Sequence, residues 1–186
     1  MTLHAEPLVA TNFSFLRAAS HPEELVAAAK ALGLAAIGVA DRNSLAGAVR
    51  MHVAAKEAGV RLMVGARLEF SDGTPDVAVF PEDRAAHGRL CRLLSTGNLR
   101  APKGECLLDI ADLARWREGL LMLVIPPARL DEACAGGRGG LAALAPGRAV
   151  AMSLWRGGRT GPSTSAACRR WMPRWGSRRR RSIWGR

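Results

Sequence analysis

Among the first hundred residues the most polar interruption is Asp41-Arg42-Asn43, which closes the apolar run Ala35 to Ala40. A carboxylate at the end of a strand serves either as a metal ligand or as the cap of the next helix, and a metal site needs at least three N, O or S donors converging. The histidines do not supply such a set: of His4, His21, His52 and His87, His21 falls at a helix start and His52 on an apolar helical stripe. Cys91, Cys106, Cys134 and Cys168 are spaced too widely for a CxxC redox pair or a zinc ribbon, so reduced, mostly buried thiols are expected. There is no Ser-His-Asp arrangement, nucleophile elbow or Walker loop. Gly136-Gly137-Arg138-Gly139-Gly140 follows no clear strand and reads as a flexible loop. Asp41 is left as the candidate, at the carboxyl end of a strand where parallel α/β folds place ligands.

The elements that must position it follow from periodicity. Ser20-His21-Pro22-Glu23 reads as a capping box, opening a helix with Leu25, Ala28, Ala29 and Leu32 on one face and Gly33 as its stop. Ala35 to Ala40 is apolar on both faces, as a strand inside a parallel sheet must be. Asn43 or Ser44 can cap a second helix with Leu45, Ala48, Val49, His52 and Val53 inward and Gly59 at its end. Strands over Arg61 to Phe70 and Asp76 to Phe80 flank the turn Ser71-Asp72-Gly73. Pro81-Glu82-Asp83 opens a helix with Leu90, Leu93 and Leu94 inward, Asp109 caps a short helix to Trp116, and Gly119 precedes a strand Leu120 to Ile125. A further helix and strand fit between Leu141 and Leu154. Strands alternating with helices predict an α/β fold with a parallel sheet, open or closed into a barrel.

Composition divides the chain. Its 186 residues carry 27 Lys plus Arg against 16 Asp plus Glu, a formal charge of +11 that suggests a nucleic-acid binder. Residues 1–150 are nearly balanced, however, and the excess lies in 151–186, which holds ten Arg and no Asp, Glu or Lys. Four of the five Trp fall from Trp155 onward. Lys is rare beside Arg, Ala and Gly, which points to coding DNA rich in G and C. Read out of frame, such DNA yields mainly Arg, Gly, Ala, Pro, Ser and Trp. The expected organisation is therefore a domain over 1–154 followed by a non-native or disordered tail over 155–186. The competing reading is a true nucleic-acid-binding tail, with Arg178 to Arg181 on phosphates and Trp171, Trp175 and Trp184 stacked on bases. The apolar runs are too short to span a bilayer. The start, Met1-Thr2-Leu3-His4-Ala5-Glu6, lacks a secretory pattern, so a cytoplasmic protein without membrane partners is expected.

Several blocks in order carry a resemblance: Thr11-Asn12-Phe13-Ser14-Phe15-Leu16-Arg17, Ala19-Ser20-His21-Pro22-Glu23-Glu24-Leu25, Asp41-Arg42-Asn43-Ser44-Leu45-Ala46-Gly47, Gly65-Ala66-Arg67, Asp83-Arg84-Ala85-Ala86, Arg89-Leu90-Cys91-Arg92-Leu93-Leu94 and Lys103-Gly104-Glu105-Cys106. Together they resemble the amino-terminal PHP domain of bacterial error-prone DNA polymerases, C-family relatives of the replicative polymerase III alpha subunit. The resemblance implies a PHP-type distorted (β/α) barrel, here incomplete at its C-terminal side. In metal-binding members the first strand ends in His-x-His, the second in Asp-His, and the third carries a Glu. The matching positions here are Leu8 and Ala10, Asp41 and Arg42, and Arg67, so the resemblance leaves Asp41 alone of these five ligands.

That substitution pattern predicts a degenerate pocket. Leu8 and Ala10 offer no lone pair, and an Arg about 4 Å from a dication would repel it by roughly 8 kcal/mol at an effective dielectric near 20. No metal, cofactor-binding or catalytic residue is therefore expected in this chain, and Asp41 is expected to pair with Arg42 or Arg67. The family's later Asn-Asp ligand strand should lie beyond Leu154, where the Arg/Trp tail stands instead. The carboxylates that hold Mg²⁺ for nucleotidyl transfer in the intact polymerase lie beyond the chain. The expected function is thus the PHP fragment of a damage-tolerant, mutagenic DNA polymerase acting in DNA repair and replication. DNA, a sliding clamp and mutagenesis proteins are partners of the intact family, and the fragment alone is expected not to polymerise DNA. The alternatives are a stand-alone metal-dependent phosphoesterase with bound Zn or Mn, and a basic nucleic-acid-binding module. A barrel lacking its last strands would expose a sheet edge and apolar surface, which predicts poor solubility.

Overall fold

Pro22 decides where the first helix begins. The residue before a proline is driven out of the helical region, so His21 takes an extended conformation (φ −72°, ψ 152°) and becomes the N-cap of α1, Pro22–Ala31. The box therefore closes one residue later than Ser20 and Glu23: the His21 amide donates to Glu24 Oε2 at 2.9 Å, and Glu23 reaches across to Arg50. With this start α1 buries Pro22, Val26 and Ala29, while Ala28 and Leu32 face solvent, a correction to the expected stripe.

The computed structural model describes residues 4–125 and the strand Ala149–Ala151. The element order is β1 (Ala5–Val9), α1, β2 (Ala36–Arg42), α2 (Ala48–Ala58), β3 (Leu62–Leu68), β4 (Val77–Pro81), α3 (Arg84–Arg100), α4 (Ile110–Trp116), β5 (Leu120–Val124) and β6 (Ala149–Ala151). The helix expected from the 141–154 region, the Gly136 to Gly140 loop, Cys134, Cys168 and the tail lie outside the described residues.

The strands form one sheet in sequential order, a half-barrel in which β1 and β6 each pair on one side only among the described residues. β1, β2 and β3 are parallel, joined by α1 and α2 as crossovers. The expected parallel arrangement ends at β4, which runs antiparallel to both β3 and β5, and β6 returns to parallel beside β5. The reason is chain length. Only residues 69–76 join β3 to β4, too few for a crossover, and the Ser71-Asp72-Gly73 turn with Gly73 at φ 81° folds them back as a hairpin.

Both faces of β2, β4 and β5 are buried. On the outer face, α1 and α2 cover Ile37 and Val39 through Val26, Ala29, Met51 and Ala55. α3 and α4 cover Ala66, Leu68, Val77, Val79, Leu120, Met122 and Val124 through Leu90, Leu93, Leu94 and Leu113. The inner face gathers Ala40, Ala78, Phe80, Leu121, Leu123 and Ile125, with Leu8 and Met63 at its margin. This two-sided burial is why β2, β4 and β5 read as continuous apolar runs.

α2 departs from its expected face. Asn43 sits at φ 45°, outside the right-handed helical region, so neither it nor Ser44 caps the helix, and α2 starts after Gly47. Its buried face is Ala48, Met51 and Ala55; Val49 and Val53 are exposed, His52 is half-buried, and Leu45 packs instead against the α3/α4 cluster. Asp83 caps α3 through a 2.7 Å bond from the Ala86 amide, and Gly59 (φ 72°) ends α2, both as expected. Cys91 and Cys106 are free thiols, half-buried and not mostly buried.

Candidate functional site

The carboxyl ends of the three parallel strands meet at a recess of about 90 Å³. Leu8 and Ala10 come from β1 and the residue after it, Ser14 and Arg17 from the loop that follows, Ala40 and Arg42 from β2, and Arg67 and Glu69 from the end of β3; Ile125 closes one wall. Four of the five positions expected to share a pocket therefore do so: Leu8, Ala10, Arg42 and Arg67.

Asp41 does not join them. Successive strand residues point to opposite faces, so Ala40 and Arg42 face the recess while Asp41 faces outward with no exposed surface. The expected pairing of Asp41 with Arg42 or Arg67 is corrected accordingly. Its Oδ1 accepts from the Thr11 amide and the Ser14 hydroxyl, both at 2.7 Å, and its Oδ2 accepts from the Thr11 hydroxyl at 2.8 Å. Ser14 Oγ in turn accepts from the Arg42 amide at 3.0 Å. The buried carboxylate thus ties the loop after β1 to the end of β2. Gly47 completes the arrangement: a Cβ there would stand 2.5 Å from Asp41 Oδ2 and 2.8 Å from Thr11 Oγ1. Asn43 tolerates its positive φ as few residues do, and its Oδ1 accepts from the Glu69 amide at 3.0 Å.

The arginines find other partners. Arg42 Nε lies 2.6 Å from Glu69 Oε2, and Arg17 NH2 approaches Glu69 Oε1 at 3.6 Å. Arg67 binds Asp76 through both Nε (2.9 Å) and NH2. The sequence alone gives no role to Glu69, Asp76, Arg17, Thr11 or Ser14. Glu69 is within reach of such a reading, because Arg67 and Glu69 are two residues apart and share a face by strand period. Asp76 is not, since only the hairpin brings it back to Arg67.

The donor set decides what the recess can hold. Among the described residues its polar lining is three guanidinium groups, one carboxylate and one hydroxyl already engaged on Asp41. Guanidinium offers only donors and keeps its charge. Among the described residues no three His, Cys, Asp or Glu side chains come together as a metal would require. The recess does not fit a divalent cation.

The PHP domain family model matches residues 9–156. The chain belongs to the PHP domain family. Its relatives include the error-prone DNA polymerase of Caulobacter vibrioides, 55% identical over 130 residues, which is 70% of this chain and 12% of that protein. The error-prone DNA polymerase of Brucella abortus is 49% identical over 160 residues, 83% of this chain and 14% of that one. This PHP chain therefore corresponds to about an eighth of these polymerases, at their amino-terminal region. Among solved structures, a Bifidobacterium adolescentis protein described as a metal-dependent phosphoesterase superimposes with a TM-score of 0.60 at 12% identity, covering 94% of this chain and 97% of that one. At that identity the likeness is one of fold. No helix among the described residues is long and apolar enough to cross a membrane.

Proposed function

We propose that this chain is the PHP portion of a DNA-directed, error-prone DNA polymerase, a nucleotidyltransferase of damage-tolerant synthesis and repair, in which the PHP unit has a supporting role and no metal chemistry of its own. The observation that carries the second half is the recess, where Leu8, Ala10, Arg42 and Arg67 stand together and replace electron-pair donors by hydrocarbon and fixed positive charge. The relatives supply the first half. In this reading the intact polymerase uses Mg²⁺ held by residues outside this chain, works on DNA in the cytoplasm with a sliding clamp and mutagenesis proteins, and uses its PHP unit as a rigid support. Residues 155–186 form a non-native tail; the family match ending at 156, where the composition changes, supports that division.

Elemental analysis of the purified 186-residue protein tests the metal half. It should show well under one Zn or Mn per chain after mixing with either metal and desalting, with no turnover of a phosphate ester. Stoichiometric metal with turnover would restore the phosphoesterase reading. Primer extension on the same protein should stay at background, and extension above it would overturn the assignment of polymerisation to residues outside the chain.

A further inference from the structure

The recess holds more positive charge than its own carboxylates neutralise. Arg17 and Arg42 face Glu69 and Arg67 pairs with Asp76, so among the described residues three guanidinium groups meet two carboxylates and one positive charge is unmatched. Glu69 is shared by two guanidinium groups, and only Arg42 is within hydrogen-bond distance of it. Arg42 and Arg67 are also direct partners in the β2/β3 register, so two like charges lie side by side on the inner face. Such a pair is unfavourable unless negative charge stands beside it, and here Glu69 and Asp76 supply two negative charges against three guanidinium groups. The surrounding wall of Leu8, Ala10, Ala40 and Ile125 has no charge to offer and lowers the local dielectric.

We infer that this recess is an anion site that takes one phosphate group, held by Arg17, Arg42 and Arg67. Each guanidinium has five N–H donors in a planar fork suited to phosphate oxygens, and the bonds to Glu69 and Asp76 use only a few of them. A volume of about 90 Å³ is roughly that of several waters, which accommodates the four oxygens of one phosphate but no base or sugar. The ligand is therefore inorganic phosphate or the terminal phosphate of a larger molecule whose remainder stays outside. The inference rests on the charge and shape of the recess and does not require the polymerase assignment.

Calorimetric titration of the full chain with inorganic phosphate, at constant ionic strength in chloride, tests it. Saturable one-to-one binding is expected, weakened about 10- to 100-fold by Arg42→Gln or Arg67→Gln. Arg17→Gln, at an exposed loop position that leaves the sheet intact, should weaken it as well. Glu69→Gln should tighten binding, because it removes the carboxylate that competes for Arg42 and Arg17. A purely structural ion-pair cluster predicts the opposite, lost stability and no phosphate binding. A 5′-phosphorylated oligodeoxynucleotide compared with its 5′-hydroxyl form separates a strand end from free phosphate. Greater affinity for the phosphorylated form, abolished by Arg17→Gln, assigns the strand end; equal affinity for the two forms beside phosphate binding assigns the free ion. Absence of phosphate binding at millimolar concentration, or binding that neither Arg17→Gln nor Glu69→Gln alters, overturns the inference.

Discussion

Replacing Asp41 tests whether the carboxylate that most resembles a metal ligand is an anchor. Three donors converge on it at 2.7 to 2.8 Å, two from Thr11 and one from Ser14, and its side chain has no access to solvent. Hydrogen bonds to a charged acceptor contribute about 1.5–3 kcal/mol each, and a buried donor left without a partner costs about 1–3 kcal/mol. Asp41→Ala strips all three donors at once. Partial collapse of the loop recovers some of this, so the expected loss is about 3–5 kcal/mol, at the upper end for a point mutation. Asp41→Asn keeps the shape and one oxygen, which can still accept from the Thr11 amide and Ser14; it should cost about 1–2 kcal/mol. Denaturant unfolding measures both. The loop offers an independent readout, because Arg17 is a trypsin site within a turn closed by the Arg17 and Ala18 amides on Ser14 O. Cleavage after Arg17 should accelerate markedly in Asp41→Ala, since its rate follows the population of the opened loop. An Asp41→Ala protein within about 1 kcal/mol of the parent, with unchanged cleavage at Arg17, would refute the anchor. A parent protein that gained stability from added Zn or Mn, and lost that gain in Asp41→Asn, would return Asp41 to the role of ligand.

Further perturbations probe the same corner. Gly47→Ala places a methyl 2.5 Å from Asp41 Oδ2 and should destabilise by about 1–3 kcal/mol in thermal unfolding; an unchanged midpoint would contradict the close packing. Asn43→Val forces a β-branched residue into positive φ and removes the acceptor for the Glu69 amide, for a loss of about 2–3 kcal/mol, whereas Asn43→Gly should lose about half of that. Burial pushes the half-buried His87 below its ordinary pKa. The unfolded chain therefore binds the proton more readily, and stability falls as pH drops through and below about 6.5, the ordinary histidine value. His87→Gln should flatten the stability profile from pH 7 to 5, and an unchanged slope would show that other groups set it.

The fold was legible where one local rule acted without competition. Leu120 to Val124 and Ala36 to Ala40 are apolar on both faces because helices cover one side and the inner core the other. Asp83 and Asp109 precede helices as acceptors for otherwise unpaired amides. The misreadings arose where two rules met. Ser20 and His21 are both plausible helix starts until Pro22 excludes the helical region for its predecessor. Asn43 and Ser44 look like caps until a positive φ at Asn43 delays α2 by a turn, which rotates its apolar face from Val49 and Val53 to Met51 and Ala55. The antiparallel β4 was signalled by Ser71-Asp72-Gly73, but the alternation of strand and helix outweighed a link of eight residues.

The site shows the same division more sharply, within Asp41-Arg42-Asn43-Ser44-Leu45-Ala46-Gly47. As a string these residues look like one functional block, yet the strand alternation sends neighbours to opposite sides of the sheet. Arg42 enters the recess with Arg67. Asp41 turns outward to hold Thr11 and Ser14, Asn43 supplies the left-handed residue that ends β2, and Gly47 leaves room for the Asp41 carboxylate. A carboxylate counted as a leftover ligand is thus fully occupied in placing the loop that carries Arg17 to the rim. The two faces are coupled, because Ser14 donates to Asp41 and accepts from the Arg42 backbone. Loss of Asp41 should therefore disturb the recess without touching it, and weaken phosphate binding only through the displacement of Arg17 and Arg42.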